Sequence, residues 1–323
     1  MRVFVTGGAG YIGSNCVEEL LNAGHSVTVF DNLSEGHRSA VDPRAKLVVG
    51  DVRDRVGVHA ALKDSKAEGV VHFGAAALVG ESMRDPGKYF GINVAGGLNL
   101  VDAAVDLGIR KFVFSSTCAV YGPPERVPMT EDLPYQPISA YGESKRMFEQ
   151  VLSWYRSIHG LEFVAFRYFN AAGAGKRFGE HHRVETHLIP NVLRVALGQA
   201  VSCDILGTDY PTPDGTCVRD YVHVHDLAQA HILALTSSKT GFFNLGSGSG
   251  FSVREVIQVC EQVSGVKIPA LEKPRRDGDP PQLVAGAEKA ITELGWTPRF
   301  RKLEEIIATA WDWHQRNPSG YVD

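Results

Sequence analysis

VFVTGGAGYIGSNCVEELLNAGHSVTVFD, residues 3–31, is the stretch of the chain that decides its fold. Residues 3–6 predict a buried strand, glycines stand at positions 7, 8, 10 and 13, and residues 12–21 have the apolar spacing of an amphipathic helix. A second apolar strand, residues 27–30, ends at Asp31. This order of strand, glycine turn, helix, strand and acid predicts a βαβ unit that binds a dinucleotide.

Each part of this unit has a physical role toward such a ligand. Gly7 and Gly10 let the backbone approach a pyrophosphate, beside a helix N-terminus with free N–H groups and a positive dipole end. Gly13 lets the helix pack closely on the strand. Asp31 can accept hydrogen bonds from both hydroxyls of an adenosine ribose and would repel a 2′-phosphate, so the sequence predicts NAD rather than NADP. The alternative is a tight structural turn without a ligand.

The rest of the first half repeats the alternation of strands and helices. Apolar strands are predicted at residues 47–49, 70–73, 112–114 and 163–166, with helical stretches between them. The predicted fold class is therefore α/β, a Rossmann-like doubly wound parallel sheet, whose ligand crevice lies beyond the carboxyl ends of the strands. Polar residues predicted at that edge are Asp31, Asp51, Ser115 to Thr117 and Asn170. Asp51 could accept a hydrogen bond from adenine, or it could cap a helix.

Tyr141 and Lys145 are four residues apart, which places them on one face of a helix, one turn apart. A nearby ammonium group lowers the pKa of a tyrosine toward working pH, so that the phenol can act as a general acid or base. Hydroxyl groups at residues 115–117 follow the strand that precedes this helix. A hydroxyl, a tyrosine and a lysine beside a nicotinamide predict a site for hydride transfer.

Composition excludes several other classes of protein. The chain has 323 residues, 44% of them hydrophobic, with a formal net charge of −4, which gives no support to a nucleic-acid surface. No apolar run approaches the ~20 residues that span a bilayer, and the N-terminus is unlike a signal peptide. The five cysteines are widely spaced without a C-x-x-C pattern. We therefore predict a cytoplasmic protein in a reducing compartment, with no membrane and no nucleic-acid partner.

No metal site is predicted. His223, His225 and Asp226 could be imagined as ligands, but their spacing alone is weak support. Asp226 is better interpreted as the N-cap of a helix over residues 227–235, with Gln229 completing a capping box.

These motifs resemble the extended short-chain dehydrogenase/reductase family over essentially the whole chain. The residues that carry the resemblance include 6–13 (TGGAGYIG), 115–117 (SST), 141–145 (YGESK), 167–170 (RYFN), 207–212 (GTDYPT), 218–224 (VRDYVHV) and 275–279 (RRDGD). The later motifs are the more specific ones, since the glycine loop and Y-x-x-x-K belong to the whole superfamily.

The resemblance implies epimerisation at C4 of a UDP-hexose, which interconverts UDP-galactose and UDP-glucose through a 4-keto intermediate. It implies that Tyr141 removes the proton of the 4′-hydroxyl, that Thr117 steadies the 4′-oxygen, and that Lys145 lowers the pKa of the tyrosine and binds the nicotinamide ribose. Other UDP-sugars, namely UDP-GlcNAc or UDP-GalNAc, UDP-arabinose and UDP-glucuronate, remain open, as does a non-catalytic NAD-binding sensor. A 4,6-dehydratase is disfavoured, because Cys118 and Ala119 cannot move protons at C5 and C6.

The resemblance also implies two sets of binding residues. The residues implied to bind NAD are Gly7, Gly10, Tyr11, Ile12, Gly13, Asp31, Asn32, Asp51, Val52, Phe73, Gly74, Ala75, Asn93, Ser115, Tyr141, Lys145 and Tyr168. Those implied to bind the UDP-sugar are Thr117, Tyr141, Asn170, His187, Leu188, Leu206, Arg219, Arg276, Asp279 and Leu283. Arg219 and Arg276 can pair with diphosphate oxygens; the alternative is that they pair with Asp220 or Asp277.

Four positions depart from the family pattern. His187 stands where the family often has asparagine, Leu206 where it has an aromatic residue, and Ala77 where it has a lysine near the cofactor. Leu283 stands at the position that gates the sugar pocket, where a small residue admits N-acetyl groups and a bulky tyrosine excludes them. Acceptance of UDP-N-acetylhexosamines is therefore a hypothesis.

Two domains are expected, a cofactor domain at 1–172 and a smaller α+β nucleotide-sugar domain mainly within 173–323. Residues 221–248 and the C-terminal helix are expected to return to the first, which leaves about 173–220 and 249–300 for the second. Family resemblance further implies a homodimer, in which helices at 94–107 and 141–159 form a four-helix interface. The apolar residues available for it are Leu98, Val101, Met147, Phe148, Val151 and Leu152.

Overall fold

The structure is a computed structural model that describes residues 1–276 and 278–323. Its strands are β1 (Arg2–Thr6), β2 (Ser26–Asp31), β3 (Lys46–Val49), β4 (Gly69–His72), β5 (Lys111–Thr117), β6 (Glu162–Tyr168), β7 (Asn170–Ala172), β8 (Cys203–Leu206), β9 (Val218–His223), β10 (Gly241–Leu245), β11 (Gly250–Ser252), β12 (Ala270–Lys273) and β13 (Gln282–Leu283). Its α-helices are α1 (Tyr11–Asn22), α2 (Arg55–Ser65), α3 (Val79–Ser82), α4 (Pro86–Tyr89), α5 (Gly97–Asp106), α6 (Ala140–His159), α7 (Leu188–Ala196), α8 (Val224–Thr236), α9 (Val253–Ser264), α10 (Glu288–Leu294) and α11 (Leu303–Arg316). Short 3₁₀ turns cover Arg38–Ala40 and Cys118–Val120, and a π-helical turn covers Phe90–Gly96.

A seven-stranded parallel sheet is the centre of the molecule, with the order β10-β6-β5-β4-β1-β2-β3. The predicted Rossmann-like fold class is confirmed. The strand order reverses between β1 and β4, and in such sheets a ligand crevice opens at the carboxyl ends on either side of that point. The glycine loop, Asp31, residues 73–77 and the end of β5 all lie at this edge.

Alternating side chains of the sheet build two apolar layers. Val3 and Val5 of β1 pack on one face with α1 and α8, whereas Phe4 packs on the other face with α5 and α6. The period-2 alternation of a strand places these neighbours on opposite faces. The sheet is therefore covered on both sides, and only its edges are open to ligands.

A second region surrounds β9. There β11 and β13 flank β9, β7 also pairs with β9, and β8 pairs with β12. Behind them, α7, α9 and α11 share a third apolar core. The chain then returns through α8 and β10 to the large sheet, where Leu245 pairs with Tyr168.

The C-terminal helix does not pack as expected. It was expected to return to the cofactor sheet, but Ile306 and Ile307 of α11 lie in the core shared with α7 and α9. The tail after this helix does reach the cofactor side, where Asp323 accepts hydrogen bonds from the backbone N–H and hydroxyl of Ser39. The physical reason is the apolar face of α11, which matches the apolar faces of α7 and α9.

The two helices predicted to form a dimer interface are present, although the first begins as the π-helical turn and continues as α5. Val101, Phe148 and Leu152 are buried in the core of this chain, so they are not available to a partner. The surface residues on these helices include Leu98 and, beyond those predicted, Trp154 and Ile158, which are both largely exposed. A homodimer stays a prediction. Among the described residues, no helix is both long and apolar enough to cross a bilayer.

Candidate active site

The glycine loop between β1 and α1 is held together by contacts that tolerate no side chain. A Cβ atom on Gly13 would lie 2.1 Å from the Gly7 carbonyl oxygen, and one on Gly7 would lie 2.5 Å from the Gly74 nitrogen. Gly7 also has a φ of +70°, in the region that favours glycine. A Cβ on Gly10 would have no described atom nearer than 3.4 Å. Gly7 and Gly13 are thus required by the packing of the protein itself, whereas Gly10 keeps space open above the loop.

The N-terminus of α1 faces that space. Its N-cap is Gly10, which has no side chain to accept from the first turn, so the N–H groups of Tyr11 and Ile12 have no intrahelical partner. The hydroxyl of Tyr11 donates to the Gly173 carbonyl at 2.6 Å, which ties the helix to the region around β9. This arrangement fits the pyrophosphate of a dinucleotide.

Asp31, at the end of β2, is buried, with one hydrogen bond to each carboxylate oxygen. Its Oδ2 accepts from the Ala9 N–H at 3.0 Å and its Oδ1 from the Leu33 N–H at 2.9 Å. Burial raises the pKa of Asp31, and the two backbone N–H groups oppose that rise. A carboxylate oxygen can accept more than one hydrogen bond, so capacity remains for ribose hydroxyls.

Asp51 is held by neighbouring side chains. Arg53 donates to both carboxylate oxygens at 2.9 and 2.7 Å, and the Asn32 amide donates at 3.0 Å. The hydrogen bonds from Arg53 hold the pKa of Asp51 well below its usual range. The alternative role as a helix cap is wrong, because Asp54 caps α2 by accepting from the Gly57 N–H.

The loop after β4 is ordered by a single buried amide. Asn93, in the π-helical turn, accepts from the Ala76 N–H at 2.8 Å and donates to the Ala76 carbonyl at 3.0 Å. It also donates to the Ser144 hydroxyl on α6 at 2.9 Å. Phe73, Gly74 and Ala75 precede this clamp, and Val52 lies on the neighbouring loop. Asn93 therefore positions the loop 73–77 against the helix that carries Tyr141.

The end of β5 and the start of α6 bring the predicted catalytic residues together. The ammonium of Lys145 donates to the Ser115 carbonyl at 2.7 Å and lies 5.9 Å from the centre of the Tyr141 ring. The Thr117 side chain lies close to the Tyr141 hydroxyl and favours its phenolate form. Ser115 and Tyr168 are joined through their hydroxyl groups. The sequence-predicted set is thus one contiguous cluster at the carboxyl edge of the sheet.

The electrostatics of this cluster differ from the prediction. Burial raises the pKa of Tyr141 to about 12, and the neighbouring Thr117 side chain opposes that rise. Burial lowers the pKa of Lys145 to about 7, and the Glu149 carboxylate opposes that fall. The expected lowering of the tyrosine pKa by Lys145 is not found in the protein alone, where desolvation of the phenol dominates. A bound cation such as an oxidised nicotinamide would favour the phenolate here, so the residues fit NAD.

The predicted nucleotide-sugar residues surround β9. Arg219 is 12% exposed and donates to the carbonyls of Val218 and Pro280, both at 2.9 Å. Its Nη2 atom lies 3.5 Å from Asp279, is buried, and makes no hydrogen bond to any described atom. Arg276 donates to both oxygens of Asp279 at 3.0 Å. A buried guanidinium nitrogen without an acceptor is what an anionic ligand would satisfy.

The alternative ion pairs of the two arginines are not formed with Asp220. Its carboxylate accepts from Ser247, Gly248 and Ala285 and so fixes the turn after β10. Asp277, the other alternative, lies outside the described residues. The Asn170 amide donates to the Asp220 carbonyl at 3.1 Å, which links β7 to β9.

His187 belongs to a cluster that sequence reasoning missed. His187 and His182 both contact one oxygen of the buried Glu180, at 2.6 and 3.1 Å, and Glu185 lies 3.7 Å from His187. The four donor atoms lie within 4.8 Å of one another, a spacing that a metal ion could also use, and the prediction of no metal did not consider them. Burial alone would lower the pKa of His187, but the charge and hydrogen bond of Glu180 raise it to about 9. The alternating acids and histidines of EHHRVETH were the available signal.

Three apolar residues complete the predicted set. Leu188 begins α7, directly after His187. Leu206 ends β8 and is 37% exposed, next to Gly207. Leu283 pairs in register with Arg219 and packs with Cys118 against one small apolar cluster. The predicted gate position thus shares an apolar cluster with the residue that follows Thr117.

The interpretation of Asp226 as a helix cap is wrong. α8 begins at Val224, and its N-cap is His223, which accepts from the His225 N–H at 3.0 Å. Asp226 instead accepts from the backbone N–H groups of Arg299 and Phe300 at 2.8 and 2.9 Å. It therefore anchors the segment that precedes α11.

The fold and the site define a class of nucleotide-cofactor enzyme, and comparison with known proteins agrees. The chain belongs to the NAD dependent epimerase/dehydratase family, whose model matches residues 3–246.

Within that family the chain is similar to UDP-glucose 4-epimerases. It is 50% identical to the UDP-glucose 4-epimerase of Lacticaseibacillus casei over 329 residues, which cover 100% of this chain and 99% of that protein. The UDP-glucose 4-epimerase of Brucella ovis in complex with NAD superposes with a TM-score of 0.92 at 43% identity, over 96% of this chain and 97% of that one. The enzyme of Bifidobacterium longum in complex with NAD⁺ and UDP has a TM-score of 0.94 at 36% identity, over 99% and 100%. The predicted resemblance and the predicted NAD dependence are confirmed.

Proposed function

We propose that the chain interconverts UDP-galactose and UDP-glucose by epimerisation at C4, with NAD as its cofactor, and that Tyr141, Lys145 and Thr117 carry the reaction. The predicted function is supported by full-length similarity to UDP-glucose 4-epimerases. The observation that carries the residue roles is the contiguous cluster of Tyr141, Thr117 and Lys145 at the end of β5.

The residues of the cluster divide the chemistry between them. Tyr141, as phenolate, removes the proton from the sugar 4′-hydroxyl and later returns it. Thr117 holds the 4′-oxygen by a hydrogen bond. Lys145, in its ammonium form, binds the nicotinamide ribose and stabilises the phenolate. NAD held by the glycine loop and Asp31 would supply reversible hydride transfer at C4 of the sugar. No net oxidation takes place, so the cofactor needs no second substrate.

The nucleotide is proposed to bind to cationic side chains that form ion pairs with carboxylates of the protein itself. Arg219 and Arg276 contact Asp279, and the diphosphate would give each of them a further acceptor. His187 would add a third positive charge beside them. Because the nucleotide is held firmly, the sugar can rotate between the two hydride transfers without leaving the site.

Incubation of the purified protein with UDP-galactose, without added NAD, tests the proposal. We expect UDP-glucose to form, which nucleotide-sugar chromatography would detect. A parallel sample with added NAD shows whether Ala77, at the lysine position, weakens cofactor retention. Absence of conversion in both samples contradicts the proposal and favours a non-catalytic NAD-binding protein.

UDP-N-acetylhexosamines are a second candidate substrate class. Leu283 is half-buried and packs against the same apolar cluster as Cys118, the residue after Thr117, so we propose that its size limits the space near the sugar. Leucine is smaller than the tyrosine that excludes N-acetyl groups. UDP-GlcNAc should therefore be epimerised more slowly than UDP-glucose; no turnover of UDP-GlcNAc rejects this candidate. The same assay tests UDP-arabinose and UDP-glucuronate as alternative substrates.

The domain division, the oligomeric state and the compartment are also proposals. Residues 1–172 and 221–248 would hold NAD, and about 173–220 and 249–300 would hold the nucleotide sugar.

The exposed Leu98, Trp154 and Ile158 on α5 and α6 support a homodimer, and a monomer in sedimentation at micromolar concentration would reject it. The five cysteines, all described, are free thiols, which supports a reducing cytoplasm.

A further inference from the structure

A third polar residue continues the catalytic face of α6. Tyr141, Lys145 and Glu149 are each four residues apart, so the side chain of Glu149 lies one turn beyond Lys145 on the same face. Glu149 is fully buried. A buried carboxylate is costly unless it is paired and hydrogen-bonded, so its partners explain why it is there.

The partners of Glu149 come from three other segments. Arg167 on β6 donates to its two oxygens at 3.0 and 2.7 Å, and Tyr135, in the loop before α6, donates at 2.9 Å. Ser116 on β5 donates from its hydroxyl at 2.6 Å. Arg167 also donates to Tyr121 at 2.8 Å. The carboxylate is therefore the centre of a satisfied network that joins α6 to two strands of the sheet.

The contact with Ser116 concerns the active site directly. Ser116 lies between Ser115, whose carbonyl accepts from Lys145, and Thr117, whose side chain lies close to the Tyr141 hydroxyl. Helix α6 is thus attached to the end of β5 at two successive turns, by Lys145 and by Glu149. Loss of the second attachment would let the strand end move relative to the helix.

Glu149 also affects the pKa of Lys145. Burial lowers the pKa of Lys145 to about 7, and the Glu149 charge opposes that fall. No other described group contributes a negative charge to the pKa of Lys145. Tyr141 is protonated in the protein alone, and His72 on β4 is neutral because burial lowers its pKa to about 3. Arg167 contacts Glu149 on the side away from Lys145, and the rings of Tyr121 and Tyr135 contact the Arg167 guanidinium.

We propose that Glu149 is a positioning residue for Tyr141 and Lys145, which fixes the end of β5 on α6 through Ser116. The inference rests on the proposed function, because it assigns a further residue to the same site. Glu149 touches neither substrate nor cofactor and acts through its two neighbours.

The test compares the pH dependence of kcat for UDP-galactose in the protein and in Glu149→Gln. We expect kcat to fall about 100-fold, as for a misplaced catalytic group. We also expect the alkaline limb of the profile to move to lower pH by about one unit, because Lys145 loses its proton earlier. Ser116→Ala keeps the charge, so it should lower kcat and leave the limb in place. Glu162→Gln is the matched control and should change neither, because this partly exposed acid pairs with Lys111 at the far end of β6.

Glu149→Gln leaves Arg167 buried without its partner, so the double variant Glu149→Gln/Arg167→Gln provides a second measurement. It should show the same shift of the limb as Glu149→Gln. An unshifted limb in this folded variant overturns the inference. If the unmodified protein does not convert UDP-galactose, the proposed function fails and the inference falls with it.

Discussion

The side of the crevice that we propose for the cofactor and the side that we propose for the nucleotide sugar are built on different physical principles. The cofactor side comprises the glycine loop, Asp31, the end of β5 and the first turns of α6. Its polar groups are fixed by backbone contacts, such as those of Asp31 with Ala9 and of Lys145 with Ser115. The nucleotide-sugar side comprises residues 180–187, Arg219, Arg276 and Asp279. Its cations are held by carboxylates: Glu180 pairs with His187, and Asp279 pairs with both arginines.

This difference suggests a difference in what ligand binding requires. A site fixed by the backbone is already arranged for its ligand and loses little on binding. A site whose cations are paired internally must exchange or share those partners with the diphosphate. Mutations on the cofactor side should therefore affect rate and folding, whereas mutations on the other side should affect affinity.

Replacement of Tyr141 by phenylalanine should have the largest effect. The general base is lost while its ring and packing remain, so the rate of epimerisation should fall about 10²- to 10⁴-fold. NAD should remain bound, because the glycine loop and Asp31 are untouched. Turnover assays with absorbance measurement of bound cofactor check both parts. Near-native turnover in this variant would mean that the assigned base is wrong.

Replacement of Gly13 by alanine should come next and should affect the fold. The new Cβ atom would lie 2.1 Å from the Gly7 carbonyl oxygen, so backbone must move, and we expect a loss of about 3 kcal/mol in stability. Gly10→Ala is the matched control, because the nearest described atom to its Cβ would be the Gly7 carbonyl oxygen at 3.4 Å. It should melt like the unmodified protein and lose NAD affinity instead. Equal melting temperatures for the two alanine variants would contradict the packing argument.

The same contrast decides what the sequence could predict. The strands, the glycine turn and the Tyr141–Lys145 pair are local patterns, so spacing alone placed them correctly. The Glu180–His187 cluster depends on how one loop folds back on itself, and the pairing of Arg219 with Asp279 joins residues 60 positions apart. The packing of α11 likewise depends on which apolar faces meet. Such long-range contacts carry no period in the sequence, and the desolvation that governs Tyr141 and Lys145 becomes visible only in the folded chain.

Replacement of Arg219 by glutamine should weaken nucleotide binding with little change in kcat. The variant loses a nearly buried guanidinium whose Nη2 atom has no acceptor among the described residues. A charged hydrogen bond is worth about 2 kcal/mol, so KM should rise about 30-fold. Arg275→Gln is the control, since Arg275 stacks on Tyr210 and pairs with Asp209 at the surface. An unchanged KM in Arg219→Gln, or an equal rise in both variants, would remove Arg219 from the nucleotide site.

The smallest expected effect is the pH dependence of nucleotide affinity that His187 confers. Glu180 raises the pKa of His187 to about 9, above the unfolded value of about 6.5. The imidazolium is therefore present at neutral pH, and its contribution to stability and to diphosphate binding is lost as pH rises through about 9. The His187 side chain is 53% exposed, so solvent screening limits the change in UDP affinity to about fivefold. Glu180→Gln should move this loss of affinity to lower pH, and His187→Asn should abolish it. Inhibition constants for UDP, measured from neutral pH to above pH 9, test this prediction. The same dependence on pH in all three proteins would show that the charge of His187 does not contribute to nucleotide affinity.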